Sequence, residues 1–499
     1  MGRDERPILL RILENLCLRN FNGSVAPDFL SRDNASAFGS GLRLSEPIRR
    51  KYRCFNRGAG GDMQTQTQRT AEPRVTEPSR EWRLSTRIAF RFIFSYFLLY
   101  IFPGAVGSLP SGNRIDDTYR QIWHAIVPWV GENLLHLQGD MREVANGSGD
   151  QLYDYILLLC LVVVATVATA VWSWIDRKQT NYDQLYQWLR LFVRITLAIA
   201  MISYGANKIF RQQFPDPPLF RFVDYYGNSS PMGLLWTFMG MSRAYSLFAG
   251  IAEMVGGLLL IVPRFTTLGS LVTFAVMSNV WMLNFCYDVP RKIYSTHLVL
   301  MSLFLLLPDV RRLLDFFIFN RKTEPSPEVP LMNDKQLNQW ALYLQLGIGA
   351  AALVFCLNQA HGNAVKAAAH LPPSIRGIWS VDEFTVDGAA RPPLVTDNDR
   401  WLRVIFDDPD IFYVQGMDSR MGDLDMSIDQ ARRTFTLTTP ADPNWRATFR
   451  WEDPGPDHIV LDGNFNGQHV TASLSRMDTL HFLLLNRGFH MISQTMVKR

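Results

Sequence analysis

Seven apolar runs of membrane length constrain this chain more than any other feature. A helix needs about 20 apolar residues to cross the hydrocarbon layer, where every backbone N–H and C=O must be satisfied within the segment. The runs are Ile88–Gly107, Leu152–Trp174, Leu189–Tyr204, Ala244–Val262, Phe265–Phe285, Thr296–Phe319 and Trp340–Asn358. Pro263-Arg264 leaves room only for a tight hairpin between the fourth and fifth, and Pro308-Asp309 interrupts the sixth. The fold class expected for residues 83–360 is an α-helical polytopic membrane bundle of about seven transmembrane helices.

The charge is too small and too dispersed for nucleic-acid binding: +4 over 499 residues. Lys and Arg instead flank the apolar runs, as topology signals do. Arg83, Arg87 and Arg91 precede the first run; Arg177, Lys178 and Arg190 lie between the second and third; Arg311, Arg312, Arg321, Lys322 and Lys335 lie between the sixth and seventh. With seven spans these groups share one side. The N-terminus is then inside and everything after Asn358 outside, against a weaker opposing set of Lys208, Arg211, Arg221 and Arg243. The expected location is a bacterial-type inner (plasma) membrane, with an extracytoplasmic C-terminal domain.

Residues 1–82 contain no run long enough to span a bilayer and no signal-peptide pattern. They are expected to be a disordered extension or to include residues upstream of the true start, Met63 being a second candidate. The segment Tyr119–Leu137 is too polar to span, and its Trp and Leu residues predict a helix on the membrane surface. The five cysteines (Cys17, Cys54, Cys160, Cys286 and Cys356) show no CxxC or metal-like spacing, and His124, His136, His458, His469, His481 and His490 form no ligand pattern. No metal site is expected.

Past Pro372-Pro373 the period changes from helical to two. Trp445, Ala447, Phe449 and Trp451 alternate with polar residues, and Leu402, Val404 and Phe406 are expected to share one face. Similar runs occur at Trp379–Val386, Ile411–Gln415, Thr434–Thr438, His458–Leu461 and His469–Leu474. Asp387-Gly388, Asp453-Pro454-Gly455 and Asp462-Gly463-Asn464 read as turns between strands. About eight strands predict an all-β antiparallel barrel over residues 375–499, with an interior wide enough for side chains or one small ligand.

Several polar residues fall where the membrane tolerates few. A charge at the bilayer centre costs about 2.5–3.5 kcal/mol on insertion scales, so such residues face a bundle interior or a cavity. Lys208, Glu253, Asn279, Asn284, Asp288 and His297 lie in or at the ends of spans, with Tyr204 one turn before Lys208. Glu253 lies in AGIAEMVGG, where small residues permit close helix contact. Two readings follow: a polar clamp holding the bundle, or a proton-exchanging site at a desolvated carboxylate. The Gly- and aromatic-rich segment Tyr225–Gly240 is expected to cap the bundle or re-enter it.

The run YGANKIF, the Gly/Pro-rich cap, AEMVGG and NFCYDVPRKIYSTHLVL together resemble the DoxX-like membrane family over roughly residues 189–315. That resemblance implies a small helical bundle, some relatives being linked to quinone-dependent oxidation or to redox-stress complexes. It suggests a quinone-linked redox protein or an accessory membrane subunit. Glu253 would relay a proton, Lys208 and His297 would partner it, and Tyr204, Asn279, Asn284 and Asp288 would line a headgroup site. The opening Ile375–Phe384 with Gly377 and Trp379 resembles the Gly-x-Trp first strand of lipocalin-like barrels. This implies an arginine near the last strand stacked on Trp379, a role placed here on Arg487. The alternative function is non-enzymatic binding of a lipid or hydrophobic ligand, with the barrel binding and the bundle anchoring. Partners would be membrane lipids, a quinone or hydrophobic ligand and a redox complex.

Overall fold

The computed structural model describes residues 81–488 apart from 108–112, 140, 142, 144–148, 326–329, 333, 368–370 and 373. The expectation for the N-terminal extension therefore lies, except at residues 81 and 82, outside the described residues.

Among the described residues, seven helices are long and apolar enough to cross a membrane. They are α1 (Leu84–Gly107), α3 (Leu152–Ile175), α4 (Asp183–Ile209), α6 (Arg243–Ile261), α7 (Thr266–Cys286), α8 (Lys292–Leu306) with its continuation α9 (Val310–Phe317), and α10 (Lys335–Ala367). Two shorter helices lie outside the spans, α2 (Asn113–Trp129) and α5 (Pro231–Met241). The third span starts earlier than its apolar run because the polar residues around Gln184 and Gln187 remain helical. Pro308 sits in a 3-10 turn that joins α8 to α9 and continues the sixth span.

The bundle centres on α4, whose buried face runs from Leu189 through Val193, Leu197, Met201 and Ala206. It meets α6 along small residues. A Cβ on Gly257 would lie 2.8 Å from the carbonyl oxygen of Ala198, and Gly205 faces Gly250 seven residues earlier along α6. Association of helices in lipid depends on this close packing, since burial from water drives none of it there. On the next side of α6, Gly256 faces Thr273 of α7, and Gly269 of α7 faces the backbone of Leu259 and Leu260.

Polar anchors fix the ends of the bundle. Arg91 is buried rather than an exposed topology charge. Its guanidinium donates to the Tyr182 hydroxyl at 2.6 and 3.0 Å, to Ser173 at 2.8 Å and to the Asp176 carbonyl at 2.9 Å. At the other end, the Asp150 carboxylate accepts the first free N–H groups of α8, from Lys292 at 2.5 Å and Ile293 at 2.9 Å. Helix α2 buries Trp123 and Val127 against Tyr153, Ile156 and Leu161 of α3, while Ile122 and Trp129 remain exposed on its other side. This is the amphipathic pattern expected of an interfacial helix.

The C-terminal domain is a closed, antiparallel barrel of eight main strands. They are β1 (Gly377–Val386), β3 (Trp401–Asp408), β4 (Ile411–Gly416), β5 (Met421–Asp429), β6 (Thr434–Thr439), β7 (Asp442–Gly455), β8 (His458–Phe465) and β9 (Gln468–Arg476); β2 (Ala389–Ala390) is a short arm on β1. Strands pair in sequence order, and β9 returns to β1 from Trp379↔Arg476 to Val386↔Val470. Closure removes the sheet edges that would otherwise invite pairing with other chains.

Three local expectations change. A register shift between Trp401 and Arg403 turns Trp401, rather than Leu402, into the interior with Val404 and Phe406. Asp453-Pro454-Gly455 ends β7 and Asp462-Gly463-Asn464 lies within β8, so both are strand, not turn. A Cβ on Gly463 would strike the Thr448 carbonyl oxygen and the Phe449 backbone, so glycine here permits close strand packing. Two of the hairpin turns, Asp387-Gly388 and Asn466-Gly467, have positive φ at both residues.

Candidate functional site

The bundle encloses an ion pair between its two most closely packed helices. Lys208, in the last turn of α4, donates from Nζ to Oε1 of Glu253 on α6 at 2.5 Å. The two residues are 3% and 1% exposed. Gly250, one turn before Glu253, makes the approach possible: a Cβ there would lie 2.9 Å from the Cβ of Lys208. The second carboxylate oxygen, Oε2, is buried and has no hydrogen-bond partner among the described residues. Rings enclose the ammonium. Its nitrogen lies 5.4 Å from the centre of the Tyr204 ring and 5.9 Å from that of Phe214. Both separations fall in the range of cation–π attraction.

Phe214 belongs to a cap that covers this end of the bundle. Phe214, Leu235 and Met239 pack with Val289, Leu283 and Tyr287, and Trp236 meets Phe214 edge-on at 5.1 Å. Ser230 starts α5 by accepting the Gly233 N–H, and Ser242 starts α6 by accepting that of Tyr245. Arg211 clasps the cap through Asp216 and the Gly240 carbonyl.

The cap is also the seat of the barrel. The Leu219 N–H donates to Asp407 at 2.9 Å, and the Gln415 amide donates to the Val223 carbonyl at 3.2 Å. Phe220 stacks on Tyr413 at 4.6 Å, and Phe222 meets Phe482 at 5.6 Å. Burial raises the Tyr413 hydroxyl above the ordinary tyrosine pKa, reinforced by the nearby carboxylates of Asp408, Asp423 and Asp407.

The remaining sequence candidates separate in space. His297 is buried between α8 and α1, stacked on Tyr100 at 3.7 Å. Its Nδ1 is 2.7 Å from the Ile293 carbonyl and its Nε2 2.6 Å from the Tyr96 hydroxyl. A carbonyl only accepts, so Nδ1 carries a proton, and in the neutral ring Nε2 accepts from Tyr96. Tyr294, one turn before His297 on α8, stacks on Tyr204 at 5.9 Å. Asn284 is buried and donates to the Arg291 carbonyl at 3.3 Å, holding the turn between α7 and α8. Asn279 is exposed on α7. Asp288 is exposed, has a positive φ and pairs with Lys292 at 2.8 Å. The constellation expected from sequence therefore contracts to Tyr204, Lys208 and Glu253, with His297 in an adjoining cluster. Tyr96, Tyr100 and Tyr294, which complete that cluster, carried no sequence signal beyond the aromatic content of ordinary spans. Among the described residues no group of three His, Cys, Asp or Glu side chains is placed to hold a metal ion.

In the barrel, Trp379 is fully buried and donates from its indole to the Ile375 carbonyl at 2.7 Å. The arginine over its ring is Arg476, at 4.4 Å from the ring centre, and not Arg487. Arg476 is paired directly with Trp379 across β9 and β1, whereas Arg487 lies exposed beyond a four-residue helix, α11 (Leu483–Asn486). The interior is filled by rings: Trp401, Phe412, Phe435 and Phe449 contact one another in sequence at 5.5–5.8 Å.

Seven spanning helices, a buried charge pair and a barrel seated on the bundle's cap define a multi-pass membrane protein with a closed eight-stranded β-domain. The chain belongs to the DoxX family. The DoxX family model matches residues 189–284, from α4 through α7, and so includes Lys208, the cap and Glu253. The uncharacterized protein YwoB of Bacillus subtilis (strain 168) is 32% identical over 125 residues, covering 25% of this chain and 79% of that protein. No solved structure matches the chain significantly.

Proposed function

We propose that the protein is an inner-membrane subunit of quinone-linked redox chemistry, or an accessory to such a complex, with Lys208–Glu253 as its proton-exchanging site. The observation that supports this most is the unpartnered Oε2 of Glu253. A clamp between helices needs one good contact, and Oε1 makes it. Leaving the second oxygen buried without a protein partner costs about 1–3 kcal/mol or more for a charged group. An open acceptor beside an ammonium is suited to receive a proton or the polar head of a membrane-soluble ligand. Tyr204 forms one wall and stacks on Tyr294, one turn from His297 on α8, and the His297–Tyr96 hydrogen bond is a second place where a proton can reside. The Lys/Arg bias favours an extracytoplasmic side for this end of the bundle and for the barrel.

Native mass spectrometry after gentle extraction tests the proposal. Co-purified quinone in the wild type and its loss in Glu253→Gln, with membrane insertion retained, is the expected result. Quinone-free wild-type protein, accompanied by a large loss of thermal stability in Glu253→Gln, would leave the pair as a clamp only.

A second reading, hydrophobic-ligand handling without catalysis, is favoured by a separate observation. A groove of about 630 Å³ lies between α4 and α10, lined by Trp188, Phe192, Trp340, Leu344 and Ile348, with Gln345 among its few polar groups. Its ligand would be an acyl or prenyl chain. This moves ligand handling from the ring-filled barrel to the bundle. Ala341→Trp, which narrows the groove, is expected to reduce co-purified lipid; unchanged lipid content would dismiss this reading.

A further inference from the structure

The chain leaves the barrel at the end that faces the bundle. β1 enters there from the linker after α10, and Arg476, closing β9, donates to the Ser374 and Arg376 carbonyls of that linker at 2.6 Å each. The Met477 N–H donates to Ile378, still at the same end. Asp478 then caps a 3-10 turn over Thr479–His481, Phe482 packs on Phe222 of the cap, and α11 follows. Within these six residues Leu480, Leu483, Leu484 and Leu485 are 70%, 48%, 52% and 40% exposed. Arg487 follows them, also exposed.

In the barrel Leu437, Leu461 and Leu474 are fully buried, and outward strand positions hold residues such as Asp423, Asp425, Thr436 and Arg450. Among the other leucines of the domain, Leu402 and Leu424 are half-buried on their strands and Leu394 stands exposed as a single leucine in the loop before β3. Four exposed leucines in one short segment therefore break the pattern of the domain, and clustered exposed apolar surface marks an interaction site. Its place in the fold identifies the partner. The segment lies at the barrel end tethered to a transmembrane helix and is joined through Phe222 to the cap of the bundle.

We propose that Leu480–Arg487 is a membrane-contact element that seats the base of the barrel on the adjacent lipid leaflet. The leucines enter the boundary between headgroups and acyl chains, and Arg487 meets lipid phosphate. This is the division of labour in interfacial helices, apolar residues below and cations at headgroup level. The contact gives the barrel a second attachment to the bilayer besides α10, and through Phe482 and Phe222 it steadies the cap. The inference does not depend on the redox reading.

Photo-cross-linking tests it in the full-length chain, reconstituted in vesicles of phosphatidylethanolamine and phosphatidylglycerol. Leu484→p-benzoylphenylalanine is expected to give lipid adducts by mass spectrometry. Asn444→p-benzoylphenylalanine, at the opposite barrel end, is expected to give at least tenfold fewer. Adducts to a second copy of the chain would make the patch a protein interface and overturn the proposal. An unreacted label at Leu484, or equal lipid labelling at both positions, would overturn it too.

Discussion

Gly205 of α4 and Gly250 of α6 bring two backbones into direct contact: a Cβ on Gly205 would lie 2.6 Å from the Gly250 carbonyl oxygen, and one on Gly250 would lie 2.9 Å from that of Gly205. Each glycine is three residues from a member of the buried ion pair, Gly205 from Lys208 and Gly250 from Glu253. The approach of the helices and the geometry of the charge site therefore rest on the same two missing side chains.

Gly250→Val is expected to force the helices apart and destabilise the bundle by about 1–3 kcal/mol, the usual cost of overpacking a tight contact. Gly347→Val on α10 is the control, because a Cβ at Gly347 meets nothing within 4 Å. Thermal unfolding in detergent compares the two; equal midpoints would mean that the α4–α6 contact yields without cost.

Lys208→Met should destabilise the protein by about 3–5 kcal/mol, since it strands a buried charge. Lys208→Met with Glu253→Gln should recover much of that loss, because no unpaired charge remains. The same unfolding assay reads the double-mutant cycle, and a double variant no more stable than the single would remove the ion pair as the source of the effect.

Arg476→Ala removes the group over Trp379 together with two hydrogen bonds to the linker. The cation–π contact alone is worth about 0.5–2 kcal/mol. Denaturation followed by near-ultraviolet circular dichroism should show an earlier barrel transition for this variant and no change for Arg487→Ala. The reverse order would restore the role to Arg487.

The contact between the cap and the barrel has a pH signature. Tyr413 binds its proton more tightly folded than unfolded, so its contribution to stability is complete below the unfolded tyrosine pKa of about 10 and is lost as pH rises through the folded value. Tyr413→Phe keeps the ring stack on Phe220 and cannot ionise. Barrel stability measured from pH 8 to 11 should fall more steeply in the wild type than in this variant; parallel curves would separate Tyr413 from the alkaline loss.

The spans were legible because lipid imposes one solution on any apolar run of sufficient length, and the barrel because inward and outward residues alternate. Strand β5 was harder to see. Its inward Leu424, Met426 and Ile428 alternate with Asp423, Asp425 and Asp429, a composition that reads as turn rather than strand. The site was legible only in part. Glu253 and Lys208 stood out because charge is costly in a membrane, but Asn279, a polar residue well within its span, is exposed.

The order of residues along the chain determined the element types: seven spanning helices, a cap between the third and fourth, and a run of short antiparallel strands. These follow from local period and from the solvent each segment must satisfy. Tertiary structure alone decided which polar residues meet. Lys208 finds Glu253 across 45 positions because glycines let two helices touch, and Trp379 finds Arg476 across 97 because the barrel closes. Arg91, similar in sequence to its exposed neighbours, becomes buried for the same reason. Periodicity assigns a residue to a face, but only the packing of that face against another selects its partner.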